Sequence, residues 1–171
     1  MPERSANDTS AETQYRAKER ILLVDDDPAI RRMLTRLLAG EGYNVSPATN
    51  GAEALEFARR ADFDLVLLDL NMPRLNGWET YERLNSQKAP PPVIVITARP
   101  NQHFTAQAAG IGALMEKPLD LQKLLTTIRD LLDEPDDVRM ARMAGRLSEF
   151  HYIPPLTRES HKNSNSGRDQ G

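Results

Sequence analysis

Short runs of valine, isoleucine and leucine recur along this chain, each separated from the next by a segment with helical spacing, and that alternation restricts the fold more than any other feature of the sequence. The runs are Ile21-Leu22-Leu23-Val24, Leu65-Val66-Leu67-Leu68, Val93-Ile94-Val95-Ile96 and Ala113-Leu114-Met115, with a shorter Tyr43-Asn44-Val45 as the second of five. Between the first two lie Ile30, Met33, Leu34, Leu37 and Leu38, and then Ala54, Leu55 and Ala58, at spacings that place each set on one helical face. Trp78, Tyr81 and Leu84 mark a third helix, read as packing residues, and Leu121, Leu124, Leu125, Ile128, Leu131 and Leu132 a last one. Asp27, Asn50 and Asp120 stand where helix N-caps belong, and Pro28 suits a first turn. Strands that read as near-continuous apolar runs are buried on both faces. The expected fold is therefore α/β: a five-stranded parallel sheet, doubly wound, with helices on both faces, followed by a C-terminal helical tail. Right-handed crossovers bring the carboxyl end of every strand to one edge, where such sheets bind ligands.

Those strand ends carry the chemistry. The first run ends in Asp25-Asp26-Asp27, the third in Asp69, the fourth in Thr97 and the fifth in Glu116-Lys117-Pro118. Asp27 is needed for the cap, which leaves Asp25, Asp26 and Asp69 to share the edge. Carboxylates crowded together resist ionising together, and a hard divalent cation with oxygen ligands, Mg²⁺ or alternatively Mn²⁺, relieves that. A lysine and a threonine beside them supply a cation and a hydroxyl donor, which is equipment for stabilising phosphoryl oxygens during transfer to a carboxylate.

The motifs ILLVDDDPAIRRML, LVLLDLNMPRLNGWE, VIVITA and MEKPLD resemble, in order and at the matching strand ends, those of response-regulator receiver domains of the CheY-like (flavodoxin-like) kind, from about Arg20 to Leu132. The resemblance implies that Asp69 accepts the phosphoryl group. It implies that Asp26 ligates the metal directly, that Asp25 acts mostly through the metal's water shell, and that Asn71 lends its backbone carbonyl. Thr97 and Lys117 would each pair with a phosphoryl oxygen, and Lys117-Pro118 would be a cis peptide. A sensor histidine kinase or histidine phosphotransfer protein would be the donor, and a downstream protein the effector, in a two-component system. The only reactions catalysed would be the chain's own aspartyl phosphorylation and dephosphorylation. Two departures stand out. Leu114 occupies a position that is often Tyr or Phe in the family, and the stretch from Thr97 to Lys117 is short, with a fourth helix confined between Pro100 and Gly110. A degenerate receiver acting as a phosphorylation-independent interaction module is the alternative. An aspartyl phosphohydrolase of the haloacid-dehalogenase kind is disfavoured, because its second acid, two residues after the nucleophile, is Asn71 here.

The rest of the sequence sets boundaries. With 171 residues, no cysteine and a net charge of −3, the chain excludes disulfides and thiolate chemistry. No apolar run approaches the ~20 residues that span a bilayer, and the polar start is not a secretory signal, so no membrane role and a cytoplasmic location are expected. The expected organisation is a disordered arm at 1–19, the receiver domain at 20–133, a linker at 134–137, an amphipathic helix at 138–151 and a mostly disordered tail at 152–171. In that helix Met140, Met143, Ala144, Leu147 and Phe150 form the apolar stripe, docking on the receiver, a partner or a second copy in a homodimer. The mildly basic tail is too short and too sparsely charged for a DNA-binding output domain, so no direct nucleic-acid contact is expected, and the regulator is read as stand-alone.

Overall fold

The computed structural model describes residues 18–72, 77–146 and 150–157, apart from the side chains at 103 and 104. Its elements in order are β1 (Arg20–Val24), α1 (Pro28–Gly40), β2 (Asn44–Ala48), α2 (Gly51–Arg60), β3 (Leu65–Asp69), α3 (Gly77–Asn85), β4 (Val93–Thr97), α4 (His103–Ala108), β5 (Ala113–Glu116), α5 (Leu121–Leu132), α6 (Asp136–Met143) and β6 (His151–Ile153). The sheet runs β2-β1-β3-β4-β5-β6, and every pairing is parallel.

Alternation along the strands builds two cores. Leu22, Val24, Val66, Leu68, Val95 and Leu114 point to one face, where Leu55 of α2, Tyr81 and Leu84 of α3 and Ala106 of α4 cover them. Ile21, Leu23, Leu65, Leu67, Ile94, Ile96 and Met115 point to the other, against Leu34 and Leu38 of α1 and Leu124, Ile128 and Leu131 of α5. Burial on both faces is why these strands carry no polar alternation. The helix starts are capped as expected: Asp27 accepts from the N–H groups of Ala29 (2.7 Å) and Ile30 (3.3 Å), Asn50 from Glu53 (2.9 Å) and Asp120 from Lys123 (3.1 Å). The fourth helix is short, six residues ending before Gly110, whose φ is +74°.

The C-terminal region differs from the expectation. The sheet has six strands instead of five, because residues 151–153 pair along β5 with His151, Tyr152 and Ile153 opposite Ala113, Leu114 and Met115. Without that strand β5 would present a row of unpaired N–H and C=O groups. The helix expected over 138–151 spans only Asp136–Met143, so it begins inside the expected 134–137 linker and stops before Gly145, whose φ of +68° turns the chain. Its inward residue is not a methionine. Met140 is half exposed, whereas Arg142 is buried, donating to the Gly110 carbonyl at 3.1 Å and pairing with Glu134. The backbone carbonyl at the end of α4 needs a donor, and an arginine with an apolar stem reaches it. Phe150 does pack on the core, but from the position just before β6 instead of a helix, and Leu147 lies outside the described residues. So do nearly all of the 1–19 arm and residues 158–171.

Candidate functional site

The carboxyl ends of β1, β3, β4 and β5 meet at one edge of the sheet, at the place where the chain has gone to one side for β2 and then to the other for β3. Asp25 directly follows β1, and its N–H reaches the Ala48 carbonyl of β2 at 3.2 Å. Asp69 is the last residue of β3. Both are buried, with 1% and 3% of their surface exposed, while Asp26 is open to solvent. One carboxylate oxygen from each of the three lies within 4.8 Å of the others.

Lys117, one residue past β5, closes the group. Its ammonium donates to Asp69 Oδ2 at 2.9 Å and to Asp25 Oδ2 at 3.3 Å. Its own N–H bonds the Thr97 carbonyl at 2.8 Å, joining the ends of β4 and β5. The Lys117-Pro118 peptide is cis, as the family resemblance implies. Thr97 is fully buried, and its Oγ1 accepts from the Arg99 N–H at 3.0 Å. The second oxygens of the acids are held by the turns that follow them: Asp27 N–H donates to Asp25 Oδ1 and Asn71 N–H to Asp69 Oδ1, each at 2.8 Å. Every site residue expected from the sequence is therefore at this edge.

The electrostatics fit that arrangement. Burial pushes the Asp25 carboxyl above its ordinary value and the charge on Asp69 adds to the rise, against the Asp27 N–H and Lys117, which lower it. For Lys117, burial alone would pull the ammonium down, but its hydrogen bonds and charge pairing with Asp69 and Asp25 outweigh that and leave it raised, hence charged. One ammonium faces three carboxylates, so the site keeps excess negative charge. The Oδ1 of Asn71 is also buried with no hydrogen-bond partner. An all-oxygen donor set with unbalanced charge suits a hard divalent cation. A cavity of about 520 Å³ opens elsewhere, lined by acids such as Asp64, Asp133 and Glu134 beside Arg20 and Arg139, but among the described residues the close-set carboxylate oxygens are those of Asp25, Asp26 and Asp69.

Three contributors were not read from the sequence. Arg31 donates to the Asp25 carbonyl at 2.7 Å and so fixes the first acid from α1. Gly77, the first residue of α3, leaves room for a close approach: a Cβ there would lie 2.6 Å from Leu70 Cα and 2.8 Å from the Asp69 carbonyl oxygen. Leu156 donates its N–H to the Pro118 carbonyl at 2.9 Å. A lone glycine and an arginine on a helix give no signal of such contacts.

A family model for the response regulator receiver domain matches residues 21–129, and the chain belongs to that family. Among relatives, the response regulator MprA of Mycobacterium leprae (strain TN) is 40% identical over 144 residues, 82% of this chain and 62% of MprA. The chain thus spans less than two thirds of the length of that curated relative. A CheY-like receiver-domain protein from Methanospirillum hungatei JF-1 is similar at 31% identity with a TM-score of 0.65, covering 71% of this chain and 98% of its own. The response regulator TrrA of Thermotoga maritima, solved with Mg²⁺ and BeF, is 32% identical with a TM-score of 0.61, covering 66% of this chain and 98% of its own. TrrA has also been solved in complex with the histidine kinase ThkA, with a TM-score of 0.60 and 32% identity to this chain over 67% of it and 99% of the solved chain. No helix among the described residues is long and apolar enough to cross a membrane.

Proposed function

We propose that this chain is a phosphorylation-dependent response regulator of a two-component system, accepting a phosphoryl group on Asp69. The observation that carries the reading is the charged Lys117 ammonium 2.9 Å from Asp69 Oδ2 within the three-carboxylate cluster. When held by Asp25, Asp26, Asp69 and the main-chain carbonyl of Asn71, Mg²⁺ or Mn²⁺ supplies positive charge that offsets carboxylate repulsion and the charge of the incoming phosphoryl oxygens.

The chain's own residues do the rest. An Asp69 carboxylate oxygen forms the new bond to phosphorus, the phosphorus–nitrogen bond of a phosphohistidine breaks, and the electron pair stays on the departing imidazole nitrogen. Lys117 moves its hydrogen bond from Asp69 Oδ2 to a phosphoryl oxygen, so that the ammonium follows the negative charge. Thr97 Oγ1 accepts from Arg99 N–H, which leaves its hydroxyl hydrogen to donate to another phosphoryl oxygen. The Asp27 and Asn71 N–H groups hold the acids in place while this happens.

The donor is a sensor histidine kinase or a histidine phosphotransfer protein, and TrrA's complex with ThkA supports a kinase partner. An apolar groove of about 280 Å³ beside Lys117, lined by Ile30, Met33, Pro118, Leu119 and Leu121, gives such a protein a place to rest. Output goes to a downstream protein or along a relay, in the cytoplasm. Leu114, wholly buried, replaces the aromatic that the family often uses there, so Thr97 and the short α4 are left to report the change.

Intact mass after incubation with acetyl phosphate and Mg²⁺ tests the reading. Wild type gains one phosphoryl group, EDTA abolishes the gain, and Asp69→Asn shows none. Labelling of Asp69→Asn at the wild-type rate refutes the assignment.

A further inference from the structure

The C-terminal segment 150–157 does more than cover a sheet edge. It grips the two residues that flank Lys117. On one side, Tyr152 Oη donates to Glu116 Oε1 at 3.0 Å. On the other, Leu156 N–H donates to the Pro118 carbonyl at 2.9 Å. Neither bond belongs to the β5–β6 ladder, which ends with Ile153 opposite Met115. Pro154 and Pro155 carry the chain stiffly from the end of β6 to Pro118. Phe150 packs against the core on one face of the sheet and Ile153 on the other, so the segment is anchored before it reaches the loop.

The Lys117 backbone is joined to β4 by its N–H bond to the Thr97 carbonyl. Its ammonium ends a long flexible stem, so where it sits depends on how firmly its backbone is fixed. The ammonium is 2.9 Å from Asp69 and 3.3 Å from Asp25. A shift of the Lys117 backbone forces the stem to readjust to keep both contacts, and displacements of about 1 Å in a preorganised site weaken it strongly.

We infer that residues 150–157 form a strap that positions Lys117 for the phosphoryl group, with Tyr152 and the Leu156 N–H as its positioning groups. The inference rests on the acceptor role proposed for Asp69. It gives the tail a part in phosphoryl binding that a simple edge cover would not have. The metal-holding acids follow β1 and end β3, and the strap bonds to none of them directly, so loosening it weakens anion binding without a loss of cation binding.

Beryllofluoride, a mimic of the phosphoryl group, reads the first and Mg²⁺ alone the second. Fluorine NMR titrations of beryllofluoride with Mg²⁺ present, and calorimetric titrations of Mg²⁺ alone, are run on the full chain as wild type, Tyr152→Phe, Leu156→Pro, Leu156→Ala and the Tyr152→Phe/Leu156→Pro double variant. The double variant loses two hydrogen bonds and binds beryllofluoride about tenfold more weakly, with each single loss giving a few-fold effect. Mg²⁺ affinity does not fall in any of them, since no Mg²⁺ ligand is altered and an ammonium that withdraws from Asp69 and Asp25 leaves those carboxylates freer for the cation. Leu156→Ala keeps the N–H and binds like wild type. Unchanged beryllofluoride affinity in Tyr152→Phe and in the double variant overturns the inference. So does a parallel loss of Mg²⁺ and beryllofluoride binding, which is the mark of general destabilisation, or an effect of Leu156→Ala equal to that of Leu156→Pro. A wild-type chain that binds Mg²⁺ but takes up no beryllofluoride refutes the acceptor role itself, and the strap's function with it.

Discussion

Replacing Arg142 by methionine removes the charge that holds α6 against the domain while keeping most of the apolar stem. Arg142 is 5% exposed, and its partner Glu134 keeps only 14% of its side chain in water. The same guanidinium satisfies the Gly110 carbonyl at 3.1 Å, and the backbone of Met143 lies so near Gly110 that a Cβ there would sit 2.7 Å from Met143 Cα. Breaking a buried pair by removing one partner costs about 3–5 kcal/mol, and the slight exposure of Glu134 puts this case near the lower end, about 3 kcal/mol. Arg142→Met/Glu134→Leu, which removes both charges, costs only about 1 kcal/mol, mostly from the orphaned Gly110 carbonyl. Urea unfolding followed by the fluorescence of Trp78, the only tryptophan, gives the global value. Amide exchange in α6 gives the local one and speeds up about a hundredfold in Arg142→Met if α6 alone comes loose. The reasoning fails if both measures change by less than about 1 kcal/mol, or if the double variant loses as much as the two single variants together.

Gly77→Ala forces a methyl against Leu70 and the Asp69 carbonyl; it is expected to cost about 1–3 kcal/mol and to slow acetyl phosphate labelling, and wild-type stability and rate together would show that the close approach is not needed. Burial holds the Tyr81 phenol up at about 12, against 10.0 for the free side chain, so its neutral form is favoured by folding. That stability is fully present below pH 10 and is lost as pH rises toward 12. The advantage of wild type over Tyr81→Phe in urea unfolding should be flat below pH 10 and shrink by about 2–3 kcal/mol across that window; a constant difference contradicts the burial of the phenol. Asp26→Ala should weaken Mg²⁺ binding more than Asp25→Ala in calorimetric titration, and unchanged affinity in the double alanine variant would remove both from the cation's ligand set.

The parts of the fold that were legible in the sequence are those written locally. A parallel strand buried on both faces must be an apolar run, so β1, β3, β4 and β5 could be read directly, as could the caps Asp27, Asn50 and Asp120. The site followed, because its residues terminate those strands. What could not be read depends on partners distant in sequence. β2 extends to Ala48 through Pro47, which a sheet tolerates here because β2 is an edge strand. β6 has three residues, two of them exposed, and becomes a strand only because β5 offers a free edge. Arg142 carries the signature of a solvated helix face until the Gly110 carbonyl and Glu134 are placed beside it. Gly77 looks like any turn glycine until α3 is packed against the end of β3.

The central claim is that one carboxylate of the three, Asp69, carries the phosphoryl group. Reduction of the acyl phosphate with borohydride converts the acylated aspartate to homoserine, and peptide mapping by mass spectrometry then locates it. After labelling with acetyl phosphate and Mg²⁺, the conversion is expected at Asp69 alone. Homoserine at Asp25 or Asp26, or labelled protein with no conversion at position 69, contradicts it.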